Sequence, residues 1–193
     1  MEVGKPSWQA ELTVPVRRYT RTARWLHWLV ALAVIATVPA GLVMVGEDIS
    51  RGLQDSLFIF HKNLGVIILI LVVVRLAWRA LHPAPPLPDS VPRLQRRIAL
   101  ATHWLLYAAL LFMTLTGYIR VTAGGFPLEM LDALGIPPLA PRSDPLAEAA
   151  KTAHFYGRFA LIGLVALHVA AAAYHGLIRR DGVFGRIWPP LGR

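Results

Sequence analysis

The stretch "HFYGRFALIGLVALHVAAAAYH", residues 154–175, is a long apolar run that nevertheless contains three histidines. A helix that crosses the ~30 Å hydrocarbon core of a bilayer needs about 20 mostly apolar residues. Three further runs are similar in length, and the four candidate spans are Trp25–Val45, Leu57–Trp78, Ile98–Ile119 and His154–Ile178. The chain is therefore predicted to be an all-α membrane protein, a four-helix transmembrane bundle that forms a single domain over residues 1–193.

The composition of the 193-residue chain agrees with this class. Hydrophobic residues make up 55% of the sequence and charged residues only 16%, which is too apolar for an ordinary soluble domain. The formal net charge is +9, but the basic residues lie between the apolar runs and not in one patch. This distribution favours contact with membrane lipid over nucleic acid. Cysteine is absent, which excludes disulfides, iron–sulfur clusters and thiolate metal sites.

Basic residues concentrate in alternate segments outside the spans. The three basic segments contain Lys5, Arg17, Arg18, Arg21 and Arg24; Arg79, Arg93, Arg96 and Arg97; and Arg179, Arg180, Arg186 and Arg193. Because an excess of Lys and Arg marks the cytoplasmic side, both termini are predicted to be cytoplasmic. Of the connections, residues 81–92 are proline-rich and are predicted to form a stiff linker. Within residues 120–150, "PLEMLDALG" predicts one short interfacial helix.

Five histidines fall within the predicted spans. His168 follows His154 by nearly four helical turns, so the two project from the same face about 21 Å apart. His61 begins the second span at the depth of His154, which predicts an outer pair of imidazoles. On the inner side, His168 has two candidate partners, His27 and His103. A lone intramembrane histidine is more often a hydrogen-bonding group between helices, but five of them indicate a functional site.

Two layers of paired imidazoles predict two metal centres. Without cysteines or inward carboxylates a bare metal ion has few suitable ligands, whereas two imidazoles on opposite sides of a flat macrocycle give a six-coordinate haem. Small residues lie one turn from the candidate ligands, where they leave room for a macrocycle edge or simply allow helices to pack closely. These small residues are Ala31, Gly65, Gly157, Ala171 and Ala172.

Five segments carry a resemblance to a known family. They are "RYTRTARWLHWLVALAVI", "FHKNLGVIILILVVVRLAWR", "THWLLYAALLFMTLTGY", "HFYGRFALIGLVALHVAAAAYH" and "RRDGVFGRIWP". In order and spacing, residues 17–190 resemble the bacterial cytochrome b561 family, which includes the membrane superoxide oxidase. Its fold is shared by the cytochrome b subunits of nickel–iron hydrogenases. The resemblance implies a multi-pass protein of the bacterial inner membrane.

The resemblance also implies a ligand set for two haem b groups. It assigns His27 and His168 to the inner haem and His61 and His154 to the outer haem, and so selects His27 over His103. Because His27 lies close to the start of its predicted span, the first helix is then expected to extend back to about Arg21.

Four further polar residues are candidates for the site. Arg75 follows His61 by nearly four turns and is expected at the inner layer, where it would bind haem propionates or snorkel to headgroups. Lys62 and Arg158 lie within a turn or so of the outer ligands, where they would neutralise propionates, attract an anion or snorkel. His175 lies two turns beyond His168. It is expected either to donate a hydrogen bond or a proton to a quinone, or to be an interfacial histidine that is hydrogen-bonded to water.

The predicted function is transmembrane electron transfer by a di-haem b-type cytochrome. The resemblance suggests ubiquinone or another quinone as one partner. It also suggests superoxide, or another periplasmic electron donor, at the outer face, which would make the chain a superoxide:quinone oxidoreductase. One alternative is a haem-bearing membrane-anchor subunit of a larger dehydrogenase or hydrogenase. A second is a small transporter whose histidines relay protons.

Overall fold

The computed structural model describes residues 17–188 and residue 190, and this part of the chain contains helices and no β-strand. The α-helices are α1 (Arg21–Val43), α2 (Arg51–Leu81), α3 (Arg93–Ala123), α4 (Glu129–Ala133) and α5 (Asp144–Ala173). A π-helical segment, Tyr174–Arg179, continues α5, and a short 3₁₀ turn follows at Phe184–Arg186. Four of the helices are long and apolar enough to cross a membrane, which confirms the predicted fold class. Lys5 and Arg193 of the predicted basic segments lie outside the described residues.

Three of the five described α-helices begin after a polar residue whose side chain caps them. Side-chain oxygens of Thr20, Ser50 and Ser143 accept hydrogen bonds from backbone N–H groups in the first turns of α1, α2 and α5. The expected start of α1 at Arg21 is confirmed.

The predicted start of the last span, by contrast, is wrong as a helix boundary, because α5 begins at Asp144 and not at His154. Hydropathy marks only the apolar part of a helix, and the first turns of α5 carry polar residues such as Glu148 and Lys151. For the same reason α2 and α3 begin at Arg51 and Arg93, several residues before the predicted spans.

Helices α1, α2 and α3 share one apolar core. Its buried residues are Val30, Val34, Ile68, Val72 and Tyr107. Helix α1 packs against α2, α2 packs against α3, and α3 packs along α5. Within the described residues, α5 makes no comparably close contact along α1 or α2. Helix α5 is therefore attached to the bundle mainly along α3, and its Val165 packs against the shared core.

On one side of the bundle, α4 is fixed to α2 by hydrogen bonds. Lys62 Nζ donates to Glu129 Oε1 at 2.7 Å and to the carbonyl of Pro127 at 2.8 Å. Asn63 Nδ2 donates to Glu129 Oε2 at 2.9 Å, and its Oδ1 accepts from the backbone N–H of Met130 at 2.9 Å. The predicted short helix in this loop is confirmed, and Lys62 and Asn63 of α2 hold it in place.

On the opposite side, the segment after α5 folds back beneath α1. The buried Arg186 donates to the backbone carbonyls of Arg17 and Pro85. Trp28 Nε1 donates to the carbonyl of Ile187 at 3.1 Å. These bonds join the chain before α1, the proline-rich linker and the C-terminal segment at one end of the bundle.

Candidate functional site

The outer layer consists of His61 on α2 and His154 on α5. Their ring centroids lie 6.2 Å apart, with an interplanar angle of 85°. His61 Nδ1 lies 2.9 Å from the carbonyl oxygen of Thr37, and His154 Nδ1 lies 3.0 Å from that of Met113. A carbonyl only accepts, so each Nδ1 carries the hydrogen and each Nε2 keeps its lone pair. Two imidazoles in this tautomer are prepared to act as metal ligands.

Two threonines and two glycines support these rings from the neighbouring helices. The hydroxyls of Thr37 and Thr116 lie 3.2 Å from Nδ1 of His61 and His154, respectively. A Cβ atom at Gly41 of α1 would lie 2.6 Å from His61 Cε1. A Cβ atom at Gly117 of α3 would lie 3.1 Å from His154 Cε1. Both imidazoles therefore pack against helix surfaces that have no side chain.

Spacing along the sequence indicated other glycines, Gly65 and Gly157, which lie on the same helices as the candidate ligands. A Cβ atom at Gly157 would lie 2.7 Å from Phe112, so this glycine serves the packing of α5 against α3. Nothing lies within 4 Å of a Cβ atom built at Gly65. The signal that would have found Gly41 and Gly117 is a glycine inside a span at the depth of a histidine on another helix.

The inner layer contains three histidines. The ring centroids of His27 and His168 are 6.1 Å apart, and those of His103 and His168 are 5.5 Å apart. Within the described part of the chain, no ring nitrogen of these three has a hydrogen bond to protein like those of the outer pair. The structure thus brings together every inner histidine that the sequence proposed.

The two pairs fit a metal held between two imidazoles. A metal–imidazole bond is about 2 Å long, so two such ligands on opposite sides of one metal have ring centroids about 6 Å apart. The separations of 6.2 Å for His61–His154 and 6.1 Å for His27–His168 match this value. Each pair also joins α5 to a helix, α2 or α1, along which α5 does not pack closely in the described residues. Among residues 17–188 and 190, no group of three or more His, Asp or Glu side chains is arranged to hold a bare ion.

Arg75 lies at the level of the inner layer. Its Nε donates to the hydroxyl of Tyr107 at 2.9 Å, and its Nη1 donates to the carbonyl of Ala23 at 3.2 Å. The guanidinium is close enough to His27 and His168 to interact electrostatically with both. A fixed, half-buried cation therefore accompanies the inner histidines.

Arg120 is close enough to both outer histidines to interact with them electrostatically. The two cations that the sequence proposed for this layer, Lys62 and Arg158, differ in their surroundings. Lys62 is paired with Glu129 in the contact that holds α4. Burial, the largest single influence, raises the pKa of Glu129, but hydrogen bonds from Lys62 and Asn63 outweigh it and hold that pKa below its usual value. The Arg158 guanidinium lies over the ring of Phe155 at 3.9 Å, and its buried Nε has no hydrogen-bond partner among the described residues.

His175 lies in the π-helical segment and has an acidic partner. Its Nδ1 is 2.6 Å from Asp181 Oδ2, and both side chains are largely buried. From the sequence, His175 was expected to contact a quinone or water, and Asp181 was not identified as its partner. The contact depends on how the chain turns after α5, which periodicity does not reveal.

Comparison with known proteins agrees with this geometry. The sequence model of the family described as "Prokaryotic cytochrome b561" matches residues 18–190. The protein named "Cytochrome b561 homolog 2" of Escherichia coli (strain K12) is 29% identical over 171 residues, which cover 88% of this chain and 90% of the relative. "Cytochrome b561 homolog 1" of the same strain is 26% identical over 180 residues, which cover 90% and 98%. The chain therefore belongs to the prokaryotic cytochrome b561 family, and it is a multi-pass bacterial membrane protein that binds haem b and transfers electrons within the membrane.

Proposed function

We propose that the chain is a di-haem cytochrome that carries electrons between the two sides of the membrane. His61 and His154 hold the outer haem b, and His27 and His168 hold the inner one. The observation that carries this proposal is the outer pair, in which each Nδ1–H donates to a backbone carbonyl and each Nε2 remains available. A carbonyl in this position fixes the tautomer and rotation of a ligand imidazole and raises its basicity.

The choice of His27 over His103 is supported by the packing of the helices. His103 is on α3, which packs directly along α5, so a macrocycle between them would have to displace this packing. His27 is on α1, which has no such close packing along α5 in the described residues. The separation of His27 and His168 also equals that of the outer pair to within 0.1 Å, whereas His103 is closer to His168.

When bound, haem b would accept and release one electron at a time in each of the two histidine layers. The side chains around it orient the ligands and balance charge. Arg75, held by Tyr107 and the carbonyl of Ala23, provides the cation for an inner propionate. Arg158 has a buried Nε without an acceptor among the described residues and provides the corresponding donor at the outer level.

The basic segments support an orientation in which both termini are cytoplasmic. His168 and its partner then lie towards the cytoplasm, and the outer pair lies about 21 Å away along α5. The single domain of residues 1–193 spans the bilayer with one site near each surface.

At the inner end we assign His175 to a quinone, ubiquinone or a related molecule, as donor of a hydrogen bond or proton to a carbonyl oxygen. Arg179 and Arg180 give this end a positive charge. A quinone is lipid-soluble and reaches such a site from within the bilayer.

At the outer end we assign superoxide as the electron donor, with Arg158 and Lys62 beside the haem. Two superoxide ions would give two molecules of dioxygen and two electrons, which with two protons reduce one quinone to quinol. Glu129 neutralises Lys62, so Arg158 contributes more of the positive charge that attracts an anion.

The visible spectrum of the purified chain tests the cytochrome. Expressed with ample haem, it should contain two low-spin b haems, released by acid extraction because there is no cysteine to bind them covalently. A chain that takes up no haem would contradict the proposal and favour the proton-relaying transporter.

Rapid mixing with superoxide tests the donor. In the presence of quinone, reduction of the oxidised protein should outpace spontaneous dismutation and slow as salt is raised. Arg158→Gln should reduce the rate, whereas Lys151→Gln, which removes a cation paired with Glu148 on the same helix, should not. If superoxide leaves the protein oxidised while a quinol reduces it, superoxide is not the electron donor. The chain is then better described as a membrane-anchor subunit of a larger enzyme.

A further inference from the structure

We propose that Asp181 is a positioning residue for His175. Its carboxylate holds Nδ1, so that Nε2 is the nitrogen that passes a proton to the quinone. This inference rests on the proposed function, because the proton acceptor is the quinone assigned there to the inner end.

The contact has the geometry of an orienting pair. The distance of 2.6 Å between His175 Nδ1 and Asp181 Oδ2 is that of a short, charge-assisted hydrogen bond. The Asp181 side chain is 8% exposed and the His175 side chain 15% exposed, so water competes little for the bond. The second carboxylate oxygen of Asp181 accepts from the backbone N–H of Val183 at 3.2 Å. Asp181 is therefore held on both sides.

The backbone leaves the α-helix where this pair forms. In a continuous α-helix, residue 181 would lie about 9 Å further along the axis than residue 175 and on another face, out of contact. Instead the chain adopts a π-helical segment over Tyr174–Arg179, and Arg180 takes a left-handed conformation with φ 50°. π-Helical turns are rare and occur frequently at functional sites, and a positive φ is uncommon outside glycine. Gly182, with φ 81°, completes the reversal that returns Asp181 to His175.

The chemistry assigns one role to each nitrogen of His175. Reduction of a quinone to a quinol consumes two electrons, supplied one at a time by the donor at the outer face, and two protons. Nε2–H of the protonated imidazole gives one proton to a carbonyl oxygen, and the imidazole is then reprotonated by water on the inner side. The other carbonyl oxygen takes the second proton from water. Asp181 accepts from Nδ1–H, keeps that hydrogen in place and compensates the positive charge while both nitrogens are protonated.

The charged groups on the same segment fit this arrangement. Arg180 Nε donates to the carbonyl of Leu177 at 3.1 Å, so this nitrogen does not compete for the Asp181 carboxylate. The ring of Tyr174 contacts the His175 ring edge-on at 5.5 Å. Asp181 is thus the only acidic side chain within hydrogen-bond reach of His175 in the described residues.

The test compares variants of the full, haem-loaded protein. Asp181→Asn keeps an oxygen for the N–H of Val183 but removes the charge from the bond to His175. It should slow quinone reduction at least about tenfold, mainly in kcat, because a misoriented general acid loses most of its contribution. Haem content, the visible spectrum and the rate of haem reduction by a chemical reductant should stay the same.

Two comparisons separate positioning from a structural role. Asp181→Glu should recover quinone reduction where Asp181→Gln, of equal length, does not. In a His175→Gln background, Asp181→Asn should have no further effect, because a residue that acts through another loses its influence when that other is removed.

The outcomes distinguish this inference from the proposed function. If the unaltered protein reduces quinone and Asp181→Asn does so equally fast, or if the two substitutions act additively, Asp181 does not position His175. If the unaltered protein binds haem but never reduces quinone, the assignment of a quinone itself is wrong, and the inference is overturned with it.

Discussion

The outer and inner histidine layers of this bundle are built differently. In the outer layer, each imidazole is bonded through Nδ1 to a carbonyl and packs against a glycine of a neighbouring helix. In the inner layer, three imidazoles share the space with Arg75, and within the described residues none has such a bond. The protein itself therefore sets the orientation of the outer imidazoles, whereas at the inner level both His27 and His103 lie beside His168.

The largest expected effect is the loss of one whole cofactor from the outer layer. His154→Ala should halve the ratio of haem to protein and leave the spectrum of the inner haem, because a single remaining imidazole does not hold the group. Quantitative haem extraction measures the ratio. His82→Ala, a loop histidine stacked on Trp78, is the control and should keep both haems. Full occupancy in His154→Ala would show that the outer layer is not a haem site.

The inner layer offers a comparison between two substitutions of the same kind. His27→Ala should lose the inner haem, whereas His103→Ala should retain both, since His103 lies on a helix packed directly along α5. Redox titration of each variant separates the two haems. The reverse result would make His103 the ligand and would mean that α3 and α5 separate to admit the macrocycle.

A methyl group tests how tightly the outer ligands are held. Gly41→Ala would place Cβ 2.6 Å from His61 Cε1, so the ring has to move away from its carbonyl partner, and partial loss of the outer haem is expected. Gly117→Ala, with a 3.1 Å approach to His154, should have a smaller effect. Gly52→Ala, where nothing lies within 4 Å, serves as the control. Equal haem content in all three would show that the outer rings are not confined by these helices.

The smallest effect concerns the loop beside the outer layer and depends on pH. Because the folded-state pKa of Glu129 lies below its usual value of 4.5, its contribution to holding α4 is present above that value and is lost as the pH falls through the lowered pKa. Hydrogen exchange at the amide of Met130, corrected for its intrinsic rate, should rise in that acidic range. Glu129→Gln should show faster exchange at neutral pH and little further change on acidification. Exchange that is independent of pH in the unaltered protein would count against this contact.

The sequence predicted what depends on one helix at a time. Length and hydropathy gave the four spans, and spacing placed His154 and His168 on one face of α5. The short helix α4 was also predicted correctly from its own residues. These features follow from local composition and from the 3.6-residue period, so they can be read from a single chain. The start of α1 at Arg21, by contrast, was expected only because the family resemblance assigned His27 as a ligand.

Features that depend on contacts between helices could not be read in this way. Thr37 and Gly41 support a histidine on a different helix, and nothing in their own segment indicates which residue they face. Lys62 was interpreted as a free cation because its partner, Glu129, lies 67 residues away. Asp181 reaches His175 only because the α-helix ends in a π-helical segment, and such a break has no clear signal in the apolar pattern.

Helix α5 has a consequence for biogenesis. It supplies one imidazole to each layer, while His27 and His61 lie on the first two helices. During synthesis these two histidines enter the membrane long before their partners emerge from the ribosome, so both sites stay incomplete until the last helix is inserted. If each layer holds a haem as proposed, cofactor loading at both levels is a late event that follows insertion of the last helix. A nascent chain arrested before α5 should insert three helices and retain neither haem.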